Sequence, residues 1–193
     1  ILLIIDEVVC GFGRTGRMFG AEHFGVKGDI VTYAKGLTSG YIPMGAVAVS
    51  AAVNEVFLDK PLLHLNTYAG HPVACAAAMA ALDVTEAEDL VGNAAAMEEV
   101  LRDALTRMRQ SVPRITEVTA IGLLSSVISD ISDQPDPDAT IRKLRKAAYD
   151  AGVLVRVARD GTNMSANFYP PLVVDRRDIE NGVGALESAL RTL

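Results

Sequence analysis

The sequence predicts an α/β fold in two parts: a domain with a mostly parallel sheet and helices over residues 1–88, then a smaller α+β domain over residues 89–193. Two observations support this prediction. Two short apolar runs each end on a charged residue and are followed by glycine-rich segments, which is typical of buried parallel strands. After Pro113 the pattern changes to a mixture of strands and helices.

The two apolar runs place charged side chains at one edge of the predicted sheet. Ile1–Ile5 is followed by Asp6, and Ile30–Ala34 is followed by Lys35. Ligands of open α/β sheets bind at the carboxyl ends of the strands. Asp6 and Lys35 are therefore the first candidate site residues.

The rest of the first part reads as one more strand and two helices, and the second part begins with a third helix. We predict a strand over 46–49 and helices over 51–58, 72–86 and 90–108. Pro61 ends the first helix, and Pro72 occupies a first turn, where proline is tolerated. The third helix has apolar residues at steps of three and four.

The second part predicts two strands and two capped helices. An apolar strand lies within 121–131 and another over 153–157. Asp136 before Pro137 resembles an N-cap. Asp175, with an acidic residue three positions later, opens the last helix in a manner close to a capping box.

Composition favours a folded protein that acts on small molecules. Half of the 193 residues are hydrophobic, and mean hydropathy is +0.25, which provides for a core and argues against disorder. A net charge of −6 with scattered Lys and Arg argues against a nucleic-acid partner and against a basic membrane-binding face. Small-molecule substrates are the better expectation.

The cysteines indicate the cellular compartment, and the lengths of the apolar runs bear on membrane crossing. Cys10 and Cys75 lie far apart without a CxxC partner, so no disulfide framework or metal site is predicted, and we expect a reducing, cytoplasmic setting. The longest apolar run, Val73 to Leu82, is about half of what a bilayer requires. Because Ile1 falls inside a predicted central strand, we expect a longer polypeptide around this chain.

Gly11-Phe12-Gly13-Arg14-Thr15-Gly16 matches the dinucleotide-binding pattern GxGxxG and must be weighed. That fingerprint directly follows its strand and opens a helix, whereas residues 6–10 intervene here. The expected acidic residue should end the second strand, but Lys35 follows that strand. A loop near a cofactor is the favoured interpretation, and an NAD-binding domain stays the weaker alternative.

The pair Asp6 and Lys35 suits pyridoxal 5'-phosphate (PLP). A lysine amine forms a Schiff base with the cofactor aldehyde. A carboxylate beside the pyridine nitrogen keeps that nitrogen protonated and strengthens the ring as an electron sink. Either residue alone would more often be an ordinary surface or capping group.

Three segments in order and spacing resemble the class III PLP-dependent aminotransferases of fold type I. They are Ile4 to Gly16, Asp29 to Leu37 and Asn66 to Pro72. The resemblance implies that the chain is the second half of the large domain followed by the C-terminal small domain. Val-Val-Cys-Gly-Phe and Gly-His-Pro look most like the omega-transaminase branch, the amine or β-alanine:pyruvate aminotransferases.

The resemblance also implies residue roles. Asp6 matches the partner of the pyridinium, Val8 the residue on the ring face, and Lys35 the lysine that binds PLP and shuttles the proton. Thr67 matches the residue that holds the cofactor phosphate of the neighbouring subunit, which implies a homodimer. Arg156 matches a mobile arginine that pairs with a substrate carboxylate.

Some positions depart from the family pattern. Cys10 stands where many members have Gln, so a contact to the cofactor's phenolic oxygen is in doubt. Asn167 stands where ornithine and γ-aminobutyrate members have a fixed Arg, which shifts carboxylate recognition toward Arg156, with Arg159 as a competitor. The family's phosphate loop and ring-stacking aromatic residue are expected upstream of Ile1.

The sequence therefore predicts a transaminase that moves an amino group from an amine or omega-amino acid to a keto acid such as pyruvate. A class III decarboxylase or aminomutase would share Asp6 and Lys35. A non-catalytic dimerisation module is a further alternative.

Overall fold

A computed structural model describes all residues, 1–193, and confirms the predicted α/β class. The chain divides into two compact units, Ile1–Gly92 and Asn93–Leu193. The strands are β1 (Ile4–Asp6), β2 (Ile30–Tyr33), β3 (Ala46–Val49), β4 (Ile115–Ile121), β5 (Leu124–Asp130), β6 (Arg156–Asp160) and β7 (Asn163–Phe168). The helices are α1 (Ala51–Asp59), α2 (Pro72–Ala87), α3 (Leu90–Ser111), α4 (Pro137–Asp150) and α5 (Arg176–Leu190).

The first unit contains a three-stranded sheet in the order β1-β2-β3. β1 and β2 run parallel, with Ile4 opposite Ile30 and Asp6 opposite Thr32. β3 pairs antiparallel to β2, with Tyr33 opposite Ala46. The connection between β2 and β3 holds only a short 3₁₀ helix and turns, so the chain re-enters the sheet at the edge where it left and β3 must run antiparallel.

The strands of the first sheet are more exposed in this chain than their apolar sequences predict. Ile4 in β1 is 63% exposed, and the β3 residues Val47 and Val49 are also exposed. β2, which lies between the other two strands, is half-buried along its length. Apolarity alone predicted burial, but burial also requires a layer over each face of the sheet.

Helices α1 and α2 follow the sheet. Ser50 caps α1 through its side-chain oxygen, which accepts the N–H of Val53 at 3.4 Å. α2 begins at Pro72, as predicted, and packs against the 3₁₀ helix Lys35–Thr38. Its buried residues include Ala74 and Ala78, and such small side chains permit close packing.

The second unit is an antiparallel sheet in the order β4-β5-β7-β6 with three helices. α4 packs against β6 and α5. The fully buried apolar side chains of this unit form one cluster, which includes Leu101, Leu105, Met108, Leu123, Val127, Ile131, Leu144, Met164, Ile179 and Leu186. This unit therefore encloses a hydrophobic core.

Both predicted caps of the second unit are present. The Asp136 carboxylate accepts the N–H of Ala139 at 2.9 Å, and the Asp175 carboxylate accepts the N–H of Asp178 at 2.8 Å. Three strands differ from the prediction. β4 and β7 were not predicted, and β6 begins at Arg156 rather than at residue 153.

None of the helices in the structure combines the length and the apolarity needed to cross a membrane.

Candidate active site

The two leading candidates, Asp6 and Lys35, lie at the same edge of the first sheet. Asp6 is the last residue of β1 and lies opposite Thr32 in β2. Lys35 begins a 3₁₀ helix two residues after β2 ends at Tyr33. Because β1 and β2 are adjacent and parallel, both residues leave the sheet at its carboxyl edge.

The Asp6 carboxylate is oriented through one of its oxygens. Oδ1 accepts the backbone N–H of Val8 at 2.9 Å and the hydroxyl of Thr32 at 3.3 Å. The hydrogen bonds that the structure gives this side chain both end on Oδ1. A carboxylate oriented in this way can accept a further hydrogen bond from a bound molecule.

Lys35 occupies an unusual backbone conformation. Its φ is +43°, in the left-handed region that residues other than glycine rarely adopt. The preceding residue, Ala34, is extended, and its carbonyl accepts the N–H of Leu37 at 3.0 Å. The chain therefore turns sharply at Lys35, and the lysine side chain is exposed.

Next to Asp6 lies a buried carboxylate that the sequence reading did not single out. Glu7 is only 2% exposed, and its Oε2 and Oε1 accept the N–H groups of Gly20 and Ala21 at 2.9 and 2.7 Å. Its own N–H donates to Thr32 O at 2.9 Å. The two adjacent carboxylates therefore differ in environment: Asp6 is exposed at the edge of the sheet, and Glu7 is directed inward. A charge directly after a strand, before a glycine-rich loop, is the sequence signal for such an anchor.

Three aromatic rings pack beside Lys35. Phe12, Phe19 and Tyr33 have ring centroids 5.4 to 5.8 Å apart. Tyr33 ends β2, and the other two rings come from the glycine-rich loop. The loop is therefore packed onto the strand end that precedes the lysine.

Glu7 also affects two neighbouring ionisable groups. Burial, and then the Glu7 carboxylate, raise the pKa of the Cys10 thiol. The same two causes raise the pKa of the Tyr33 hydroxyl. A thiol whose pKa is raised stays protonated at neutral pH, so Cys10 is not suited to act as a nucleophile.

The other two candidates of the first unit differ in their contacts with Asp6. Val8 is half-buried two residues after Asp6, where its N–H orients the carboxylate. Thr67 is exposed in a turn that precedes α2. In that turn Tyr68 N–H donates to Asn66 Oδ1 at 3.0 Å. The roles of Val8 and Thr67 stay predictions.

Arg156, the predicted substrate residue, lies in the second unit. It is the first residue of β6, is exposed, and lies directly opposite Asn167 in β7. Its competitor Arg159 is engaged elsewhere: Nε donates to Gly161 O at 3.0 Å, and the guanidinium lies 3.7 Å from the Asp138 carboxylate. The role of Arg156 in substrate binding stays a prediction.

The chemistry of the carboxyl edge fits PLP. Asp6 offers an oriented carboxylate oxygen for a protonated ring nitrogen, and Lys35 offers an exposed primary amine for an aldehyde. These are the two groups that the cofactor's two reactive positions require. This fit covers the ring nitrogen and the aldehyde of the cofactor.

The alternative dinucleotide-binding interpretation fails on local structure. It requires a helix that opens near Gly13. Residues 11–19 instead form turns and bends, and the 3₁₀ helix Gly20–Phe24 begins only after them. Without a helix N-terminus at the glycines, the loop lacks the pyrophosphate-binding element.

Comparison with known proteins agrees with the family that the sequence motifs resemble. The model of the family described as aminotransferase class-III matches residues 1–190. An omega-aminotransferase from Caulobacter vibrioides is 35% identical over 98% of this chain and 43% of its own length. An acetylornithine aminotransferase from Synechocystis sp. is 39% identical over 100% of this chain and 43% of its own.

The fold is also shared with a solved transaminase. The crystal structure of a thermostable (S)-enantioselective omega-transaminase from Thermomicrobium roseum superposes with a TM-score of 0.89 at 40% identity, over 100% of this chain and 43% of that chain. The chain therefore belongs to the class III aminotransferase family, as the sequence motifs indicated. It spans less than half the length of these relatives.

Proposed function

We propose that the protein containing this chain is a PLP-dependent transaminase. It moves an amino group from an amine or omega-amino acid to a keto acid such as pyruvate, in two half-reactions of the ping-pong type. The observation that carries this proposal is the placement of Asp6 and Lys35 at the carboxyl ends of two adjacent parallel strands. Membership in the class III aminotransferase family supports it.

Bound PLP supplies an electron sink and a reactive aldehyde. The Asp6 carboxylate would hold the pyridine nitrogen, while the N–H of Val8 and the hydroxyl of Thr32 keep its Oδ1 in place. A carboxylate held in this way favours the protonated nitrogen. Asp6 therefore tunes the cofactor without taking part in bond making.

Lys35 has two roles in this proposal. Its Nζ would be the covalent attachment point of the cofactor, and as a free amine it would accept and return the proton that transamination moves. The exposed position of the side chain at the sheet edge leaves Nζ free to move between these roles. One residue thus serves as both nucleophile and general base.

The remaining predicted contacts rest on the family resemblance. Val8 packs on the ring face, and Thr67 holds the cofactor phosphate in the site of the neighbouring subunit of a homodimer. Exposure of Thr67 supports a role toward another chain. The branch resemblance, and the omega-aminotransferase among the relatives, support an amine or omega-amino acid as donor.

Arg156 is proposed to bind the substrate carboxylate. Its guanidinium is exposed, and the opposite residue is the neutral Asn167 rather than a second cation. A planar guanidinium binds carboxylate in a bidentate manner and releases it when an uncharged amine enters. A fixed arginine at position 167 would oppose like charges across the strand pair.

Covalent capture of Lys35 tests the central assignment. The native polypeptide is incubated with PLP and reduced with borohydride, and the modified peptide is identified by mass spectrometry. We expect the label on Lys35, and we expect Lys35→Ala to lose both the label and transamination. Lys27→Ala is the matched control, because Lys27 is also an exposed lysine of the first unit. Labelling of other lysines with Lys35 unmodified would refute the proposal.

A kinetic comparison tests Arg156. We expect Arg156→Ala to raise KM for a keto acid at least about tenfold, as loss of a charge-assisted pair implies, with little change for an uncharged amine. Arg159→Ala should leave both constants near their original values. Equal losses for the two substrates would count against carboxylate binding by Arg156.

A further inference from the structure

Lys35 keeps its left-handed backbone conformation within a closely packed environment. Its φ is +43°, which an L-residue adopts at a cost. Such outliers persist only where the surrounding structure determines them. The neighbours of Lys35 in sequence therefore need to be held in place.

The residues on both sides of Lys35 pack against Phe12. The Tyr33 ring lies 5.8 Å from the Phe12 ring, centroid to centroid, in an edge-on arrangement. On the other side, a Cβ placed on Gly36 would lie 2.8 Å from the Phe12 Cβ and 3.2 Å from its Cδ2. Phe12 thus contacts the Tyr33 ring two residues before the lysine and the Gly36 backbone directly after it, and at Gly36 only a hydrogen fits between them.

Phe12 is in turn held by the loop that carries it. It is 8% exposed and itself has a φ of +60°. Glu7 fixes both ends of this loop: its carbonyl accepts the N–H of Gly11 at 2.9 Å, and its carboxylate accepts those of Gly20 and Ala21. The loop is therefore anchored to the strand that ends on Asp6.

We propose that Phe12 is a positioning residue for Lys35, with Glu7 as the anchor of its loop. Contact between Phe12 and Gly36 sets the backbone turn at Lys35 and with it the direction in which the amine leaves the sheet edge. This inference rests on the proposed function, because it assigns Phe12 a task only if Lys35 is the reacting lysine. Phe12 acts through Lys35 and needs no contact with substrate or cofactor.

A double-mutant cycle on the native polypeptide tests the contact. The variants are Phe12→Ala, Gly36→Ala and the combination, and the readout is the rate at which PLP and borohydride capture Lys35, measured by peptide mass spectrometry. Each single variant should slow capture at least about tenfold, since small misplacements of a reacting group have large effects on rate. The double variant should lose less than the sum of the two single variants, because Gly36→Ala adds a Cβ against the Phe12 side chain and Phe12→Ala removes the ring atoms of that side chain.

Two controls separate positioning from general loss of structure. Gly184→Ala introduces the same methyl group in α5, where nothing lies within 4 Å, and should leave the capture rate unchanged. Trace labelling of lysines with acetic anhydride, without PLP, should show altered reactivity at Lys35 but not at Lys27. If Gly36→Ala does not fold, a comparison of Phe12→Leu with Phe12→Ala replaces the cycle: leucine keeps an apolar side chain beside Gly36 and loses the ring contacts with Phe19 and Tyr33, so it should slow capture less than alanine.

The outcomes distinguish the two proposals. Failure to capture Lys35 in the unmodified protein would refute the proposed function. Capture in the unmodified protein at rates that the folded variants do not change, or losses that add fully in the double variant, would overturn the positioning role of Phe12.

Discussion

The unit Asn93–Leu193 encloses a continuous apolar core, whereas the unit Ile1–Gly92 buries mainly polar and small groups around its loops. Side chains such as Leu105 and Leu186 are completely buried in the second unit. In the first unit the buried set includes Glu7, Thr15 and Thr38, with Phe12 as its one large apolar member. The candidate catalytic lysine lies in the unit that depends on hydrogen bonds and one aromatic cluster.

Because of this difference, the stability of the second unit and the geometry of the candidate site in the first unit depend on different kinds of contact. A packed core stabilises without requiring any particular orientation of polar groups. A buried carboxylate that holds a loop gives direction, but it loses that effect when one partner is removed. Substitutions in the two units should therefore fail in different ways.

The largest expected effect is on the core of the second unit. Leu186→Ala should lower the free energy of unfolding by about 2–5 kcal/mol, because a buried leucine is replaced by a cavity. Leu63→Ala, at a position that is 98% exposed in the first unit, should stay within about 0.5 kcal/mol. Urea unfolding measures both. Similar losses at the two positions would break the comparison.

Next in size is the loss of the buried anchor. Glu7→Ala leaves the N–H groups of Gly20 and Ala21 without their acceptors, which should cost about 1–3 kcal/mol. Hydrogen exchange should show faster exchange at these two amides and no change in α5. Glu55→Ala, an exposed residue of the same unit, is the control. Unchanged amide protection would show that Glu7 does not hold the loop.

Removal of a helix cap in each unit should give a smaller loss of stability and compares the two units again. Asp175→Ala removes an N-cap bond of 2.8 Å in the second unit and should cost about 1 kcal/mol. Ser50→Ala removes the longer 3.4 Å cap bond of α1 and should cost less. Thermal unfolding of the two variants gives the order. A larger loss of stability for Ser50→Ala than for Asp175→Ala would contradict the inference that α1 has the weaker cap.

The smallest effect concerns acid stability of the second unit. The Ser111 hydroxyl, which donates to the Glu187 carboxylate at 2.7 Å, and then Arg191, lower the pKa of Glu187 in the folded state. A lowered folded pKa contributes stability above the unfolded pKa, and this contribution is lost as pH falls through the folded value. The unfolding free energy should therefore depend less on pH in Glu187→Gln below the ordinary Glu range. Identical acid profiles would show no contribution from this carboxylate.

Much of the fold could be predicted from local patterns. Pro72 at the start of α2 and the caps Asp136 and Asp175 were read from short-range chemistry, and the structure has them in place. Strand ends were harder. β6 begins at Arg156 rather than in the preceding apolar run, because pairing with Asn167 of β7 defines where the strand starts. β4 and β7 were missed because polar residues interrupt their apolar residues: three of the seven residues of the edge strand β4, Ile115–Ile121, are polar and exposed.

The candidate site shows the same division. Asp6 and Lys35 were found because each follows an apolar strand, and their shared edge follows from the parallel pairing of β1 and β2. Glu7 and Phe12 were not found, because their roles depend on groups more than ten residues away in the sequence. Arg156 was chosen by resemblance, and only the ion pair of Arg159 separates the two arginines.

The sequence by itself determined the chemical groups at the sheet edge and the family to which the chain belongs, because both are carried by short, ordered motifs. Tertiary structure decided how those groups are held. The inward direction of Glu7, the contact of Phe12 with Gly36 and the left-handed turn at Lys35 all depend on a loop folding back onto two strands. Contacts between segments that are distant in sequence leave no local sequence pattern, since each residue alone is compatible with many ordinary structural roles.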